Sequence, residues 1–258
     1  MLKRLNYLWR LGGTGLSFFL FGFVGALFWG LVFPLIVPFM GTGEQKKRLS
    51  RAMMQRLFHS YMEFMRIIGI LDYAVQGGER LNTPSRLVIA NHPCLLDIVF
   101  LISQTRNATC IVKPSLVHNP FMRIPIQAMG YIYATDPEAL LAQCAKELHE
   151  GCVLIVFPEG TRTTPNQPLK FQRGAAAIAL QANVPILPVR LDCSPTTLTK
   201  REQWYQIPDK KFTLSMQVGN DIDLIAGYSS RSLAVRNMTR QLEQYFIEQQ
   251  VQHGNSGN

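Results

Sequence analysis

The chain has 258 residues and a formal net charge of +9, from 26 lysine and arginine residues against 17 aspartate and glutamate residues. This length suits one α/β domain with an attached segment rather than two full domains. The positive charge favours an anionic partner, such as a membrane surface, a phosphorylated substrate or nucleic acid. The five cysteines show no CxxC spacing and their number is odd, which argues against a zinc site and a disulfide framework. We therefore expect reduced thiols in a protein that faces the cytosol.

The first part of the chain is strongly apolar. Residues 11–43 contain no charged side chain, and the run exceeds the roughly 20 apolar residues that span a bilayer. Its length and the lack of a following Ala-x-Ala site argue against a cleaved signal peptide. Pro34 and Pro38 leave a re-entrant hairpin open beside a spanning helix. Cations flank both ends of the run, so they predict no orientation: Lys3, Arg4, Arg10, Lys46, Lys47, Arg48 and Arg51.

Residues 48–70 have the periodicity of an amphipathic basic helix. Such a helix can lie on a membrane interface, or its apolar stripe can pack on the following domain. Both interpretations stay open from the sequence. The expected stripe consists of Leu49, Met53, Leu57, Tyr61, Met65 and Ile68.

Strands and helices alternate after Gly77 and Gly78. This order predicts an α/β fold with a central, mainly parallel sheet flanked by helices, following an N-terminal membrane-associated helical segment. The expected division is an anchoring segment over residues 1–72, a catalytic domain over 73–250 and a disordered tail over 251–258. Strands are predicted at 86–90, 109–112, 130–133, 153–157, 186–191 and 212–218. Helices are predicted at 94–103, 137–150, 173–182 and 229–250.

Residues 91–97, Asn-His-Pro-Cys-Leu-Leu-Asp, place a histidine and a carboxylate five positions apart. On one continuous helix their side chains would point about 140° apart and could not meet. Pro93 favours an extended residue before it and suits the first helical position, so His92 should lie in a loop and Asp97 in the first helical turn. The pair would then form the His-Asp half of a catalytic triad. The alternative is a helix-capping histidine beside a first-turn acid that interacts with the helix dipole.

A second motif follows the apolar strand predicted at 153–157. Residues 158–162, Pro-Glu-Gly-Thr-Arg, form a polar turn that carries a carboxylate and a guanidinium. Ligands of α/β sheets bind at such strand ends. Arg173 opens a later helix where an anion could bind, although an ordinary first turn explains it equally well.

The two motifs, together with Val-Pro-Ile-Leu-Pro at 184–188, resemble those of the glycerolipid acyltransferase family, of the 1-acylglycerol-3-phosphate (lysophosphatidate) acyltransferase type. The resemblance is specific over residues 86–190. The chain also looks similar to the small acyltransferases of bacterial aryl polyene pathways. The resemblance implies that the N-terminal helices dock on a bilayer, and we expect a bacterial inner membrane with the catalytic domain on its cytoplasmic side.

The resemblance also implies a reaction. His92, oriented by Asp97, would remove a proton from an acceptor hydroxyl, which attacks an acyl thioester of acyl carrier protein or coenzyme A. Neither a metal nor another cofactor is expected. Main-chain N–H groups after Pro93 and in the Gly160 turn are candidate oxyanion donors. The candidate acceptor-binding residues are Lys113, Glu159, Gly160, Thr161, Arg162 and Arg173. For Lys113 the alternative is a surface lysine whose stem covers apolar atoms.

Two positions depart from the family pattern. The family's second motif, Gly-x-x-aromatic-Ile-Asp-Arg, ends in an arginine that helps to bind glycerol phosphate. The matching residues 130–136, Gly-Tyr-Ile-Tyr-Ala-Thr-Asp, contain no arginine, and losing a bidentate ligand would weaken phosphate binding. Cys94 stands where many members have serine, so a covalent route through its thiol is an alternative.

Three functions follow from these observations. The first is membrane-bound acylation of a lysophospholipid such as 1-acylglycerol 3-phosphate. The second is the same chemistry on another lipid hydroxyl, such as an aryl polyene product. The third is a non-catalytic membrane protein that binds anionic lipid or a carrier protein. Nucleic-acid binding is not expected, because the positive charge flanks a membrane segment and no recognition motif is present. The sequence predicts no oligomeric state.

Overall fold

The computed structural model describes residues 2–164, 167–223 and 230–254. We number its helices α1 Leu2–Met40, α2 Gly43–Ile67, α3 Asp97–Gln104, α4 Pro120–Met129, α5 Pro137–His149, α6 Gly174–Ala182 and α7 Arg231–Gly254. The strands are β1 Leu71–Gln76, β2 Arg86–Ala90, β3 Ala108–Cys110, β4 Val153–Val156, β5 Ile186–Ser194 and β6 Phe212–Val218. Two short 3₁₀ helices cover Gly78–Asn82 and Pro114–His118.

The strands form one sheet in the order β1-β6-β5-β2-β4-β3. Every pairing is parallel except that of β5 with β6, which confirms the predicted mainly parallel α/β sheet. Buried apolar side chains alternate along the central strands, so that Val88 contacts a core under α2 and α3 while Ile89 belongs to a second core under α5, α6 and α7. Helices therefore cover both faces of the sheet, and its polar strand ends are left for function.

The elements differ from the predictions at several points. Helix α4 was not predicted, and α3 begins at Asp97 rather than at residue 94. Strand β1 was not predicted, because it follows directly on the helical segment and crosses the predicted boundary between residues 72 and 73. The strand predicted at 130–133 is reduced to an isolated bridge between Ile111 and Ile132. Helix α7 runs to Gly254, so the first four residues of the predicted tail are helical. Residues 255–258 of that tail lie outside the described residues.

Helices α1 and α2 form an antiparallel hairpin. Helix α1 continues through both prolines, each in the first turn of its helical stretch, and the chain reverses at Gly41 in the left-handed region (φ 82°). The Trp9 indole donates to the Ile68 carbonyl (2.8 Å) near one end of the hairpin, and the Tyr61 hydroxyl donates to the Ser17 carbonyl (3.2 Å) further along. The sequence left a spanning helix and a re-entrant hairpin open, and α1 is continuous past both prolines before the chain reverses at Gly41.

The outer face of α1 is exposed and apolar. By length and composition, α1 is the one helix in the described residues that could cross a membrane, with a mean hydropathy of 2.3 in its most apolar window. Only 11% of that window is buried in the protein. The exposed side chains include Leu5, Leu8, Leu16, Phe19, Phe23, Leu27, Leu31, Leu35 and Phe39. A continuous apolar face of this kind marks a membrane or protein contact.

Helix α2 buries a different face from the one predicted. Met65 is buried as expected, but Leu49 and Leu57 of the predicted stripe are exposed, and Ser50 and Arg51 are buried instead. The reason is an ion pair that the periodicity of apolar residues cannot show. This face of α2 packs on the catalytic domain, whereas the second sequence interpretation expected the predicted apolar stripe to do so.

Arg51 fixes α2 to the catalytic domain. Its side chain is 1% exposed and forms a 2.5 Å ion pair with Glu147 of α5. The guanidinium also donates to the Met129 carbonyl (2.6 Å) and to the Asn107 side chain (3.0 Å). Lys47, one turn earlier, contacts Glu147 at 2.5 Å and Glu150 at 3.0 Å. Two cations expected to flank a membrane run therefore bind the domain.

We predict that Arg51→Met lowers the free energy of unfolding by about 3–5 kcal/mol, because Glu147 would lose one of its two cations and the Met129 carbonyl would lose its donor. Unfolding of the detergent-solubilised protein measures this loss. Adding Glu147→Leu to Arg51→Met should recover part of it, because the second change removes the carboxylate that lost a cation, while Lys47 keeps Glu44 and Glu150 as partners. The matched control is Arg48→Met on the exposed side of α2, with an expected loss within about 0.5 kcal/mol. Equal losses for the two single arginine variants would contradict the prediction.

Candidate active site

Three adjacent strands bring the sequence motifs to one edge of the sheet. Strand β4 pairs in parallel with β2 on one side and with β3 on the other, so the carboxyl ends of all three strands meet. His92 follows β2, Glu159 follows β4 and Lys113 follows β3. Because β3 lies two strands from β2, about 10 Å separates the ends of those strands.

His92 and Asp97 are in direct contact. The His92 Nδ1 atom lies 2.8 Å from Asp97 Oδ2, and the Cys94 N–H donates to the same oxygen at 2.7 Å. Asp97 is the first residue of α3, as its expected place in the first turn required. Pro93 is not at the first helical position, because residues 94–96 form a turn between it and α3. That turn gives the imidazole room to fold back onto the carboxylate.

Asp97 is a buried carboxylate held by two donors. It is fully buried, and its Oδ1 atom has no hydrogen-bond partner among the described residues. Burial raises the pKa of Asp97, while the bonds from His92 and from the Cys94 N–H oppose that rise. The side chain of His92 is 16% exposed. The imidazole therefore has its Nδ1 atom fixed inside the protein, while part of the ring stays exposed.

The His92 ring is also held by stacking. The Phe157 ring lies 4.2 Å from it, centroid to centroid, at an interplanar angle of 18°. Phe157 directly follows β4, so the second motif supports the residue that the first motif presents. The stacked ring and the Asp97 bond together define the plane and the direction of the imidazole.

Glu159 faces the His92 main chain. Its Oε1 atom accepts from the His92 N–H at 3.0 Å and from the Thr163 hydroxyl at 2.7 Å. Burial raises the pKa of Glu159, and these two hydrogen bonds oppose the rise. Glu159 therefore lies in the site as predicted, but the described contacts of its carboxylate are with the protein. The sequence did not indicate the part played by Thr163, although it follows the motif directly.

Arg162 binds main-chain oxygens. Its Nη1 atom donates to the Leu198 carbonyl at 2.9 Å and to the Thr199 carbonyl at 2.8 Å. The Leu198 carbonyl also accepts from the Leu95 N–H at 3.1 Å. Leu198 itself lies in the left-handed region (φ 55°), which is strained for leucine. One loop carbonyl therefore joins both motifs, and no sequence signal marked this loop.

The Gly160 turn is exposed to solvent. Gly160 has φ 69°, a conformation that an L-residue adopts at a cost, so glycine suits this turn. Both Gly160 and Thr161 are exposed. They therefore line the open side of the site, where the resemblance expects an acceptor.

The expected oxyanion donors are occupied. The Cys94 N–H donates to Asp97 Oδ2, and the Leu95 N–H donates to Leu198. The Asp97 N–H donates to the Cys94 carbonyl, and the Gly160 N–H donates to Phe157. These four amides are therefore engaged with acceptors within the protein, and the source of the oxyanion donors stays a prediction.

Lys113 and Arg173 are exposed cations at this edge of the sheet. Neither side chain forms a hydrogen bond or ion pair with another described residue. Arg173 directly precedes α6 without capping it. The neighbouring Gln172 N–H donates to the Pro158 carbonyl at 2.7 Å, which places Arg173 beside the second motif. Both cations are therefore available to an anion.

The stretch 130–136 brings no cation to the site. The carboxylate of Asp136 caps α5 by accepting from the Ala139 N–H at 2.7 Å. Arg51 approaches from α2 and donates to the Gly130 carbonyl at 3.4 Å, but its guanidinium is buried and paired with Glu147. Arg51 therefore does not replace the arginine that the family pattern has here.

The Cys94 side chain is poorly suited to nucleophilic attack. It is fully buried. A hydrogen bond to the Cys193 thiol, with burial, raises the pKa of Cys94 well above its ordinary value. The thiolate is the nucleophilic form of cysteine, so a raised pKa makes the thiol inert at neutral pH.

Comparison with known proteins identifies the family. A model named Acyltransferase matches residues 72–192. The 1-acyl-sn-glycerol-3-phosphate acyltransferase of Pseudomonas aeruginosa is 26% identical over 67% of this chain and 68% of that protein. Its counterpart in Saccharomyces cerevisiae is 30% identical over 69% of this chain and 59% of that protein. The chain thus spans about three fifths to two thirds of the length of these relatives.

The fold matches that of a solved structure over nearly the whole chain. The crystal structure of the 1-acyl-sn-glycerophosphate acyltransferase PlsC from Thermotoga maritima aligns with a TM-score of 0.67. It covers 96% of this chain and 98% of that protein at 20% identity, which speaks for the fold alone. With the matched motifs, these findings place residues 72–192 in the acyltransferase family and show that the chain is similar to its 1-acylglycerol-3-phosphate acyltransferases.

Proposed function

We propose that this protein is a membrane-bound O-acyltransferase. It moves a fatty acyl group from the thioester of acyl carrier protein or coenzyme A to the hydroxyl of a lysophospholipid such as 1-acylglycerol 3-phosphate. The observation that carries the proposal is the 2.8 Å contact between His92 Nδ1 and the buried Asp97 carboxylate. It leaves the second ring nitrogen as a general base at the edge of the sheet where the motifs meet.

The reaction follows from this geometry. With its proton on Nδ1, held by Asp97, the imidazole accepts the proton of the acceptor hydroxyl at Nε2. The hydroxyl oxygen forms a bond to the thioester carbonyl carbon, and the tetrahedral intermediate then breaks its carbon–sulfur bond. The thiolate leaves and takes up the proton from Nε2. The acyl group thus passes directly from sulfur to oxygen, and His92 returns to its starting state.

Lys113 and Arg173 are the proposed ligands of an acceptor phosphate. Neither side chain has a partner among the described residues, whereas Arg162 Nη1 binds two carbonyls. A phosphate bound between the ends of β3 and β4 would leave the acceptor hydroxyl near His92. Glu159, Gly160, Thr161 and Arg162 then shape the cleft rather than supply the main phosphate contacts.

A second acceptor class has an observation in its favour. The stretch 130–136 lacks the arginine of the family pattern, and the nearby Arg51 is paired with Glu147. With fewer phosphate ligands, the same chemistry suits a lipid hydroxyl without a glycerophosphate group. The panel of acceptors described below distinguishes the two classes.

The third function, binding of lipid or carrier protein without catalysis, has less support. A vestigial site would not need the buried carboxylate of Asp97, because burial of an ionisable group is unfavourable unless it is used. Here that carboxylate is kept and aimed at His92.

Membrane attachment through α1 is part of the proposal. The exposed apolar face of the α1–α2 hairpin would enter the lipid, and the catalytic domain would lie in the cytoplasm of a bacterium, at its inner membrane. Five free thiols support a reducing compartment.

We predict that His92→Ala lowers kcat by about 10²–10⁴-fold, because the variant lacks the general base. The measurement is acyl transfer by the purified, detergent-solubilised protein from a labelled acyl thioester to lysophosphatidate and to acceptors without phosphate. His118→Ala, at an exposed histidine on a 3₁₀ helix, is the matched control and should keep full activity. Undiminished transfer by His92→Ala would contradict the enzymatic proposals.

Cys94→Ser should retain kcat within about tenfold of the wild-type value, because direct transfer needs no thiol nucleophile. Intact-mass measurement after mixing with the acyl thioester should show no acylated wild-type protein. A folded but inactive Cys94→Ser variant, with an acyl adduct on the wild type, would establish the covalent route instead.

Lys113→Ala and Arg173→Ala should each raise KM for lysophosphatidate by about 10–100-fold, since a hydrogen bond to a charged group contributes about 1.5–3 kcal/mol. Neither change should affect KM for an acceptor without phosphate. Arg106→Ala is the matched control, because this exposed arginine precedes β3 at the opposite edge of the sheet. Equal effects on both acceptor types would overturn the assignment of these residues to phosphate.

A further inference from the structure

We propose that Thr163, acting with Glu159, is a positioning residue that fixes the main chain of His92. The inference rests on the proposed function. It gives Glu159 a role in positioning His92, whereas the family resemblance implies that Glu159 binds the acceptor. Thr163 itself lies outside the three motifs that carry the resemblance.

Thr163 binds both main-chain polar groups of His92. The Thr163 N–H donates to the His92 carbonyl at 2.7 Å, and the His92 N–H donates to the Thr163 hydroxyl at 3.2 Å. The two residues are therefore paired as if they faced each other on neighbouring strands, although both lie in loops beyond the sheet. This pairing joins the loop after β2 directly to the loop after β4.

The Thr163 hydroxyl also determines where Glu159 points. It donates to Glu159 Oε1 at 2.7 Å while it accepts from the His92 N–H, and the same carboxylate oxygen accepts from that N–H at 3.0 Å. The three groups form a closed cycle of hydrogen bonds. Glu159 is thereby turned towards the His92 main chain. Burial raises the pKa of Glu159, and the hydrogen bonds from Thr163 and the His92 N–H oppose that rise.

The position of the base depends on this cycle because His92 has few other main-chain restraints. Asn91, before it, is fixed to the Leu191 main chain at 2.7 and 2.8 Å. Pro93, after it, has no N–H group to donate. Asp97 and Phe157 hold the His92 ring. Thr163 and Glu159 hold the main chain of His92, from which the ring projects. A displacement of about 1 Å in such a group can lower a rate 10²-fold.

The test compares Thr163→Val with Thr163→Ser. Valine has the shape of threonine without the hydroxyl, so we expect kcat to fall about 10–100-fold while KM for the acceptor stays unchanged. Serine restores the hydroxyl and should restore kcat. Thr164→Val is the matched control, since the Thr164 side chain forms no hydrogen bond with another described residue. Melting temperatures confirm that all three variants are folded.

A second measurement does not depend on any acceptor. Hydrogen exchange of the His92 amide, read in the peptide that contains it, should be faster in Thr163→Val than in the wild type and slow again in Thr163→Ser. Faster exchange together with a loss confined to kcat supports the proposal. Wild-type exchange in Thr163→Val, or a loss confined to KM, would overturn it. If the wild type fails to acylate lysophosphatidate but the exchange pattern holds, the proposed acceptor is wrong and the positioning role stands.

Discussion

The hydrogen bond between His92 Nδ1 and Asp97 is the interaction on which the site depends. It requires a chain that leaves β2, turns over three residues and starts α3 at the carboxylate itself. Every neighbouring contact serves that arrangement: Phe157 stacks on the ring, Cys94 donates to the carboxylate, and Glu159 with Thr163 holds the main chain. A base fixed in this way has one nitrogen committed to the protein and one available to a substrate.

The parallel sheet explains why distant motifs cooperate. Adjacent parallel strands end at the same edge, so the order β2-β4-β3 places the base, the Glu159 turn and Lys113 in one row. The long strand β5 extends past that edge, and the loop after it returns to the site. There the Leu198 carbonyl accepts from Leu95 and Arg162. These contacts hold the loop at Leu198 against both motifs, and Lys113 and Arg173 are exposed at the same end of the strands.

The parts of this structure that follow from local chemistry were predictable from the sequence, and those that depend on long-range pairing were not. Apolar strands, the loop position of His92 and the first-turn position of Asp97 all follow from neighbouring residues. The buried pair of Arg51 with Glu147 does not, because its partners are 96 residues apart. For the same reason, Arg162 was predicted as an acceptor ligand without any sign of its bonds to Leu198 and Thr199. The preference of Pro93 for the first helical position predicted a helix that begins a few residues too early, because residues 94–96 form a turn before α3.

In the proposed direct transfer, His92 passes a proton while the acyl group moves from sulfur to an acceptor oxygen. The most direct measurement is the release of thiol from an acyl thioester by the purified protein, with and without lysophosphatidate. Thiol release should require the acceptor and equal the acylated product mole for mole. A burst of thiol without acceptor, accompanied by an acyl group bound to the protein, would contradict it.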